Sequence, residues 1–329
     1  MMRTAIIGAG FAGLMAAKEL CEMEEVTVFE EHDKVGFPEH CTGIVSHRVV
    51  EAIGNVAKRN VEGYLSEFRV GTRNGAGITI KGPKRFTTKL NRAQLEKDML
   101  EEAVSKGAVF KNKLVTNVTY DGKVDDEKFD RVIVAEGWRA DISRRLGIGH
   151  NARLVYGVNL EVEGKTAYPG SVEIWFDKDL APGFFAWVVM LDEKAVVGTA
   201  SEPRKANVKD LAFKVFEIAK RRGLVEGKVS KIYGGVILTG PPSLTPYKGK
   251  VCAMGDAAGL NKPLTGGGLY PTTLAVKKLK EKRSFPKAFH PLVERLYLET
   301  VLARIIHGAP QRVYQRVFEE LDGTEISVT

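Results

Sequence analysis

Short apolar runs alternate with amphipathic stretches along this chain, and their order predicts its elements. Arg3–Ile7 reads as a β run, followed by Gly8-Ala9-Gly10-Phe11-Ala12-Gly13 and then by Leu14, Ala17 and Leu20 at helical spacing. Val26–Phe29 is a second β run that ends at Glu30. Strand, glycine turn, helix and strand in this order form a dinucleotide-binding unit. Asn91 predicts an N-cap, with Gln94 three residues on; Leu95, Met99, Ala103 and Val104 form an apolar stripe before Gly107 closes the helix. Arg131–Ala135 is a further buried β run. From about Leu154 to Thr199 the pattern alternates in β fashion, with Pro169-Gly170 and Pro182-Gly183 as turns. Asn207 opens a helix that runs to Gly223, Val236–Leu238 resumes strand, and Val251–Met254 is a buried strand leading into a second glycine cluster. The stretch from about Ser284 reads as helical.

The expected architecture is α/β: a Rossmann-like cofactor domain interrupted by a β-sheet substrate domain and followed by a helical tail. The boundaries expected are 1–65, 88–150 and 245–283 for the cofactor domain, 66–87 and 151–244 for the substrate domain, and 284–329 for the tail. The 329 residues are enough for two cores. No apolar run approaches the roughly 20 residues that span a bilayer, and the first strand begins too early for a signal peptide. A cytoplasmic protein is expected. Cys21, Cys41 and Cys252 show no zinc-ligand spacing, so no metal is expected. The net charge of +8 brings in acidic partners. No nucleic-acid signature accompanies it, so nucleic acid is not expected; the basic stretches Arg204–Lys231 and Lys277–Arg283 are either solvated helix faces or a contact with an anionic membrane surface.

The chemistry lies in the glycine clusters. In Gly8-x-Gly10-x-x-Gly13, the first glycine permits a tight turn, the second lets the backbone approach a pyrophosphate, and the third lets helix and strand pack closely. Glu30 ends the second strand, where its carboxylate can accept from ribose hydroxyls. NAD and FAD both fit this unit alone. The second cluster, Gly255-Asp256-Ala257-Ala258-Gly259 with Leu264-Thr265-Gly266-Gly267-Gly268, decides for FAD. Asp256 can bind ribityl hydroxyls, and N–H groups around Gly267–Leu269 can face a flavin ring.

With these motifs in view, the chain resembles flavoproteins built like aromatic hydroxylases. Within them it is similar to the geranylgeranyl reductases, through Phe37-Pro38-Glu39-His40-Cys41-Thr42-Gly43, Asn91-Arg92 and Pro263–Tyr270. Archaeal members of that family saturate the isoprenoid chains of membrane lipids. The resemblance implies FAD contacts at Ala12, Glu30, Cys41, Thr42, Gly43, Arg92, Asp256, Gly268 and Leu269, with an adenine-side contact near Val115. It departs in three respects. Ala135-Glu136-Gly137 stands where the superfamily has Asp-Gly; an aromatic-x-Trp-x-Phe-Pro pocket motif is reduced to Phe185-Ala186-Trp187 followed by Val188-Val189-Met190; and the chain is shorter than typical members.

The activity expected is reduction of carbon–carbon double bonds in geranylgeranyl or similar lipid chains. Phe185 and Trp187 would line an apolar tunnel, where the face of Trp187 could stabilise a carbocation; the alternative is plain core. His40 and Cys41 are candidate proton relays beside the flavin, against a surface histidine and a structural thiol. No second nicotinamide fingerprint is present, so ferredoxin or visiting NAD(P)H would supply electrons. Two rival readings are a flavin hydroxylase, revealed by oxygen-dependent NADPH consumption, and a non-catalytic prenyl-lipid-binding protein.

Overall fold

The structure, a computed structural model, describes residues 1–328. The opening unit is present: Arg3–Ile7 and Glu25–Glu30 are parallel strands with Ile6 opposite Val28, joined through the helix Phe11–Leu20. They sit within a six-stranded sheet whose spatial order is Tyr247–Lys248, Val251–Ala253, Arg131–Val134, Arg3–Ile7, Glu25–Glu30, Val109–Asn112, with only the first pair antiparallel. The central strands are covered on both faces, which is why they read as unbroken apolar runs.

The helix Phe11–Leu20 packs against the helices Arg92–Ser105 and Leu269–Lys282. Asn91 caps the first of these as expected, its Oδ1 accepting the Gln94 N–H at 3.0 Å. Leu95, Met99 and Ala103, spaced by four, are buried; Val104 lies a third of a turn off that line and is exposed instead. At the far end of the sheet, Glu24 is buried with Arg131, whose Nη1 donates to it at 2.8 Å, and with Thr4, whose hydroxyl donates at 2.6 Å.

The second sheet has eight strands, in spatial order Val225–Leu238, Leu154–Thr166, Lys194–Ser201, Ala186–Met190, Ser171–Trp175, Glu67–Gly71, Gly77–Lys81 and Thr324–Ser327. Its two faces follow from the period of two along Ala186–Met190. Ala186, Val188 and Met190 pack with Leu180 and with the helix Val208–Arg221, which buries Ala212, Val215, Phe216 and Ala219 against them. Trp187 and Val189 point the other way, into a cluster that includes Leu65, Tyr314 and Phe318. A small antiparallel sheet of Ile44–Ser46, Thr87–Leu90 and Val61–Leu65 lies beside this second face.

The C-terminal stretch is helical over Phe285–Gly308 and Gln311–Glu320, but it ends in a strand. Thr324–Ser327 pairs in parallel with Gly77–Lys81, held by Lys81 to Glu325 at 2.8 Å and by the Gly77 N–H to Asp322 at 3.0 Å. The edge of Gly77–Lys81 supplied unpaired backbone groups that a helical ending would have left exposed. Among the described residues, no helix is long and apolar enough to cross a membrane.

Candidate functional site

The first glycine motif forms a tight turn with one open face. Gly8 has φ +102°, and a Cβ on Gly13 would stand 1.9 Å from the Gly8 carbonyl oxygen, so these two glycines serve the turn itself. Gly10 is different: a Cβ there would meet no atom within 4 Å, so its face is open space. The helix behind it has Gly10 as N-cap and no side-chain cap, which leaves its first N–H groups for a ligand. The Glu30 carboxylate stands at the mouth, accepting from the Ala9 N–H at 2.7 Å and the His32 N–H at 2.9 Å. His32, which sequence reasoning missed, also holds it through Nδ1 at 2.7 Å.

The second glycine motif folds back onto the first. Gly255 has φ +66°, and a Cβ on it would lie 2.5 Å from the Cβ of Ala12, so Asp256 follows directly on a contact with the first helix. Asp256 accepts from the Asn261 amide at 2.9 Å, while the Asn261 carbonyl oxygen is buried without a partner. Asn261 was also missed; nothing in its surroundings along the chain marks it. Gly268 caps Leu269–Lys282, again without a side-chain cap, so a second helix start faces the same region. Val115 is buried just beyond the strand Val109–Asn112, at the Glu30 end of the sheet.

The third wall is the loop through His40, Cys41, Thr42 and Gly43. Gly43 has φ +76° and stands against the Leu90 carbonyl and the Arg92 side chain. The Cys41 sulfur accepts the Gly43 N–H at 3.3 Å, and the thiol is exposed. Arg92 is paired with Glu96 and lies over the Phe11 ring at 5.3 Å, yet its Nε is buried with no partner. Burial works against its charge, and Glu96 and Cys41 more than offset this, so its pKa is raised. His40 packs over Gly235 of the second sheet and lies within reach of the charges of Glu96, Arg92 and Asp256. Burial lowers its pKa, so the imidazole is neutral near pH 7. The structure thus brings together Ala12, His40, Cys41, Arg92 and Asp256 from four distant parts of the chain.

Phe185 and Trp187 are placed differently from expectation. Phe185 stacks on Phe184 at 4.1 Å and packs near Phe176 at 5.8 Å, while the Trp187 ring lies flat over Gly198 and donates to Asn159 at 3.1 Å. They are 9% and 7% exposed, so the expected open tunnel is here a closed aromatic core. The reason is composition: Phe184, Phe185, Phe176, His307, Tyr314 and Phe318 fill the space with rings. Glu136, the acid that replaces the superfamily's aspartate, accepts from the Ile142 and Ser143 N–H groups at 2.9 and 2.7 Å. It thereby satisfies two N–H groups in the first turn of the short helix Asp141–Arg145.

Comparison with known proteins shows what the chain resembles in sequence and fold. Residues 6–46 match the NAD(P)-binding Rossmann-like domain family. The chain is 27% identical to digeranylgeranylglycerophospholipid reductase 2 of Methanothermobacter thermautotrophicus over 286 residues, 80% of this chain and 73% of that protein. It is 28% identical to digeranylgeranylglycerophospholipid reductase 1 of Methanopyrus kandleri over 297 residues, 80% of this chain and 75% of the relative. Its fold matches a geranylgeranyl bacteriochlorophyll reductase-like protein from Thermoplasma acidophilum with a TM-score of 0.83 and 16% identity, covering 99% of this chain and 92% of the other. In sequence the chain is therefore similar to digeranylgeranylglycerophospholipid reductases, and in fold to a geranylgeranyl reductase-like protein.

Proposed function

We propose that this protein is an FAD-dependent reductase of carbon–carbon double bonds in isoprenoid lipid chains. The observation that carries the reading is the junction of the two glycine motifs at Ala12 and Gly255, with the open face of Gly10 on one side and the unpartnered Nε of Arg92 on the other. Such a surface fits a long, doubly phosphorylated cofactor: a buried donor without a partner is costly unless a ligand meets it, and the open face of Gly10 leaves a ligand room. Gly8, Gly10, Ala12 and Gly13 would hold the pyrophosphate, Glu30 the adenosine ribose, and Val115 the adenine side. Gly255 and Asp256 would hold the ribityl chain, and Gly267, Gly268, Leu269, Cys41, Thr42, Gly43 and Arg92 the flavin end. The bound flavin supplies hydride chemistry.

The protein's own residues do the rest. The helix starts at Gly10 and Gly268 offer N–H groups to negative charge. His40 and Cys41 are the candidate carriers of the proton that completes the reduction. His40, held neutral by burial with Glu96 and Asp256 nearby, would have an imidazole nitrogen available to pass a proton on. Phe185 and Trp187 sit within the closed aromatic core and support the second sheet from there. Electrons come from ferredoxin or from transiently bound NAD(P)H, and the basic surface favours an anionic membrane.

The test is reconstitution of the purified protein with FAD, followed by anaerobic incubation with reductant and geranylgeranyl lipids, read by mass spectrometry. We expect about one FAD per chain and a gain of two mass units per saturated bond. Failure to bind FAD would sink the reading, and incorporation of oxygen would replace it with a hydroxylase.

A further inference from the structure

Beside the aromatic core lies a cavity of about 60 Å³ that none of the cofactor contacts uses. Arg153, Glu202, Thr239, Arg304 and His307 line it, together with Gly183, which leads directly into Phe184. The Arg153 guanidinium donates to Glu202 at 2.6 Å, whereas Arg304 has no carboxylate partner among the described residues. Lys178 adds a third cation by donating to the backbone oxygen of His307. Two cations and one carboxylate therefore line the cavity, with Lys178 close behind His307. The His307 ring is 8% exposed; its Nε2 donates to the Leu264 oxygen at 2.9 Å, and its Nδ1 has no partner. Through His307 the cavity abuts the aromatic core, where that ring stacks on Phe184, and the same ring ties it to Leu264.

We propose that this cavity receives the phosphate group of a phosphorylated lipid substrate, an assignment that rests on the reductase reading above. Its volume accommodates about two waters or one tetrahedral oxyanion in their place. Two guanidinium groups from separate parts of the chain, one just before the strand Leu154–Thr166 and one from the helix Phe285–Gly308, suit the several oxygens of a phosphate, because each fork can donate twice. Glu202 acts as the internal counter-ion, which the phosphate displaces from Arg153. The neighbourhood also suits an amphipathic ligand: on the same helix Leu298, Val301 and Ile305 are 72%, 52% and 66% exposed, an apolar ridge beside the cationic pocket. A soluble anion would have no use for that ridge or for the Phe184 wall. The chain would be anchored by its polar end, with that ridge taking up the first part of its hydrocarbon.

The experiment measures equilibrium binding of three probes to the FAD-loaded protein: dihexanoylphosphatidic acid, dihexanoylglycerol and inorganic phosphate. We expect the phosphatidate to bind at least about tenfold more tightly than the uncharged glyceride, a ratio typical of a charged group meeting prepared partners. Arg304→Gln and Arg153→Gln should bring that ratio down towards one, with Arg304→Lys intermediate. Glu202→Gln should act the opposite way and tighten phosphatidate binding, an outcome that misfolding cannot mimic. FAD content of each variant reports on the fold. A ratio near one in the unaltered protein, or one that the variants leave in place, would overturn the proposal. Inorganic phosphate binding as tightly as the phosphatidate would assign the cavity to the free anion instead. Failure to load FAD would count against the reductase reading, whereas the same three probes with the FAD-free protein still judge the cavity.

Discussion

At the scale of single residues, the glycines of the first motif separate structure from ligand binding. Gly13 has no room for a methyl group, because the Gly8 oxygen occupies that space. Gly13→Ala should therefore lower the stability of the FAD-free protein by about 1–3 kcal/mol, the usual cost of forcing an atom into filled space. Gly10→Ala should cost less than about 1 kcal/mol in that form, the order of a poorer N-cap. It should nevertheless weaken FAD binding, since the open face is where the pyrophosphate would lie. Thermal melts with and without FAD measure both effects; equal losses in the two variants would remove the distinction. Histidine gives a second test. Burial lowers the pKa of His150, whose Nε2 donates to the Trp138 oxygen at 2.9 Å and whose Nδ1 accepts the Ala152 N–H at 3.0 Å. Protonating Nδ1 breaks the second bond. The unfolded chain binds protons more readily, with the ordinary histidine value of 6.5, so the stabilising contribution is full above that pH and is lost as pH falls through the lower folded value. His40 and His307, also lowered by burial, act in the same direction. The melting temperature should fall on acidification below about pH 6.5, and His150→Gln should flatten that slope.

At the scale of elements, the strand Ala186–Met190 shows how one alternation serves two cores. Its residues facing the helix Val208–Arg221 are small or aliphatic, and its other face carries Trp187. The sequence displayed the alternation but not the outcome for Trp187, because whether rings line a gap or fill it depends on what the facing elements contribute. Here Tyr314 and Phe318 arrive from the helix Gln311–Glu320, far along the chain. Trp187→Ala should destabilise the protein by about 3–5 kcal/mol, the range for truncating a large buried ring. Chemical denaturation checks this. A loss below about 1 kcal/mol would mean that the ring faces a gap rather than a packed core.

At the scale of the whole molecule, the C-terminal stretch ties the second sheet together, and its final strand was not legible as such. Thr324–Ser327 is too short to announce itself, and only the open edge of Gly77–Lys81 gives it a partner. Removing residues from Thr324 onward should destabilise that edge and increase aggregation at raised concentration, measurable by light scattering, since an exposed strand edge seeks another chain. An unchanged scattering profile would show that the edge is protected by other means. The sequence by itself determined the local devices: the glycine turn and its strand frame, the helix caps at Asn91 and Asn207, and the buried β runs. Those depend on neighbours a few residues away, through backbone sterics and short-range hydrogen bonds. Only the tertiary structure decided that Gly255 meets Ala12, that His40 rests on Gly235 beside Arg92, that Asn261 holds Asp256, and that a cationic cavity forms between Arg153 and Arg304. These are contacts between residues far apart in the chain, set by which apolar faces must bury one another, and no local pattern encodes which distant side chains that burial brings together.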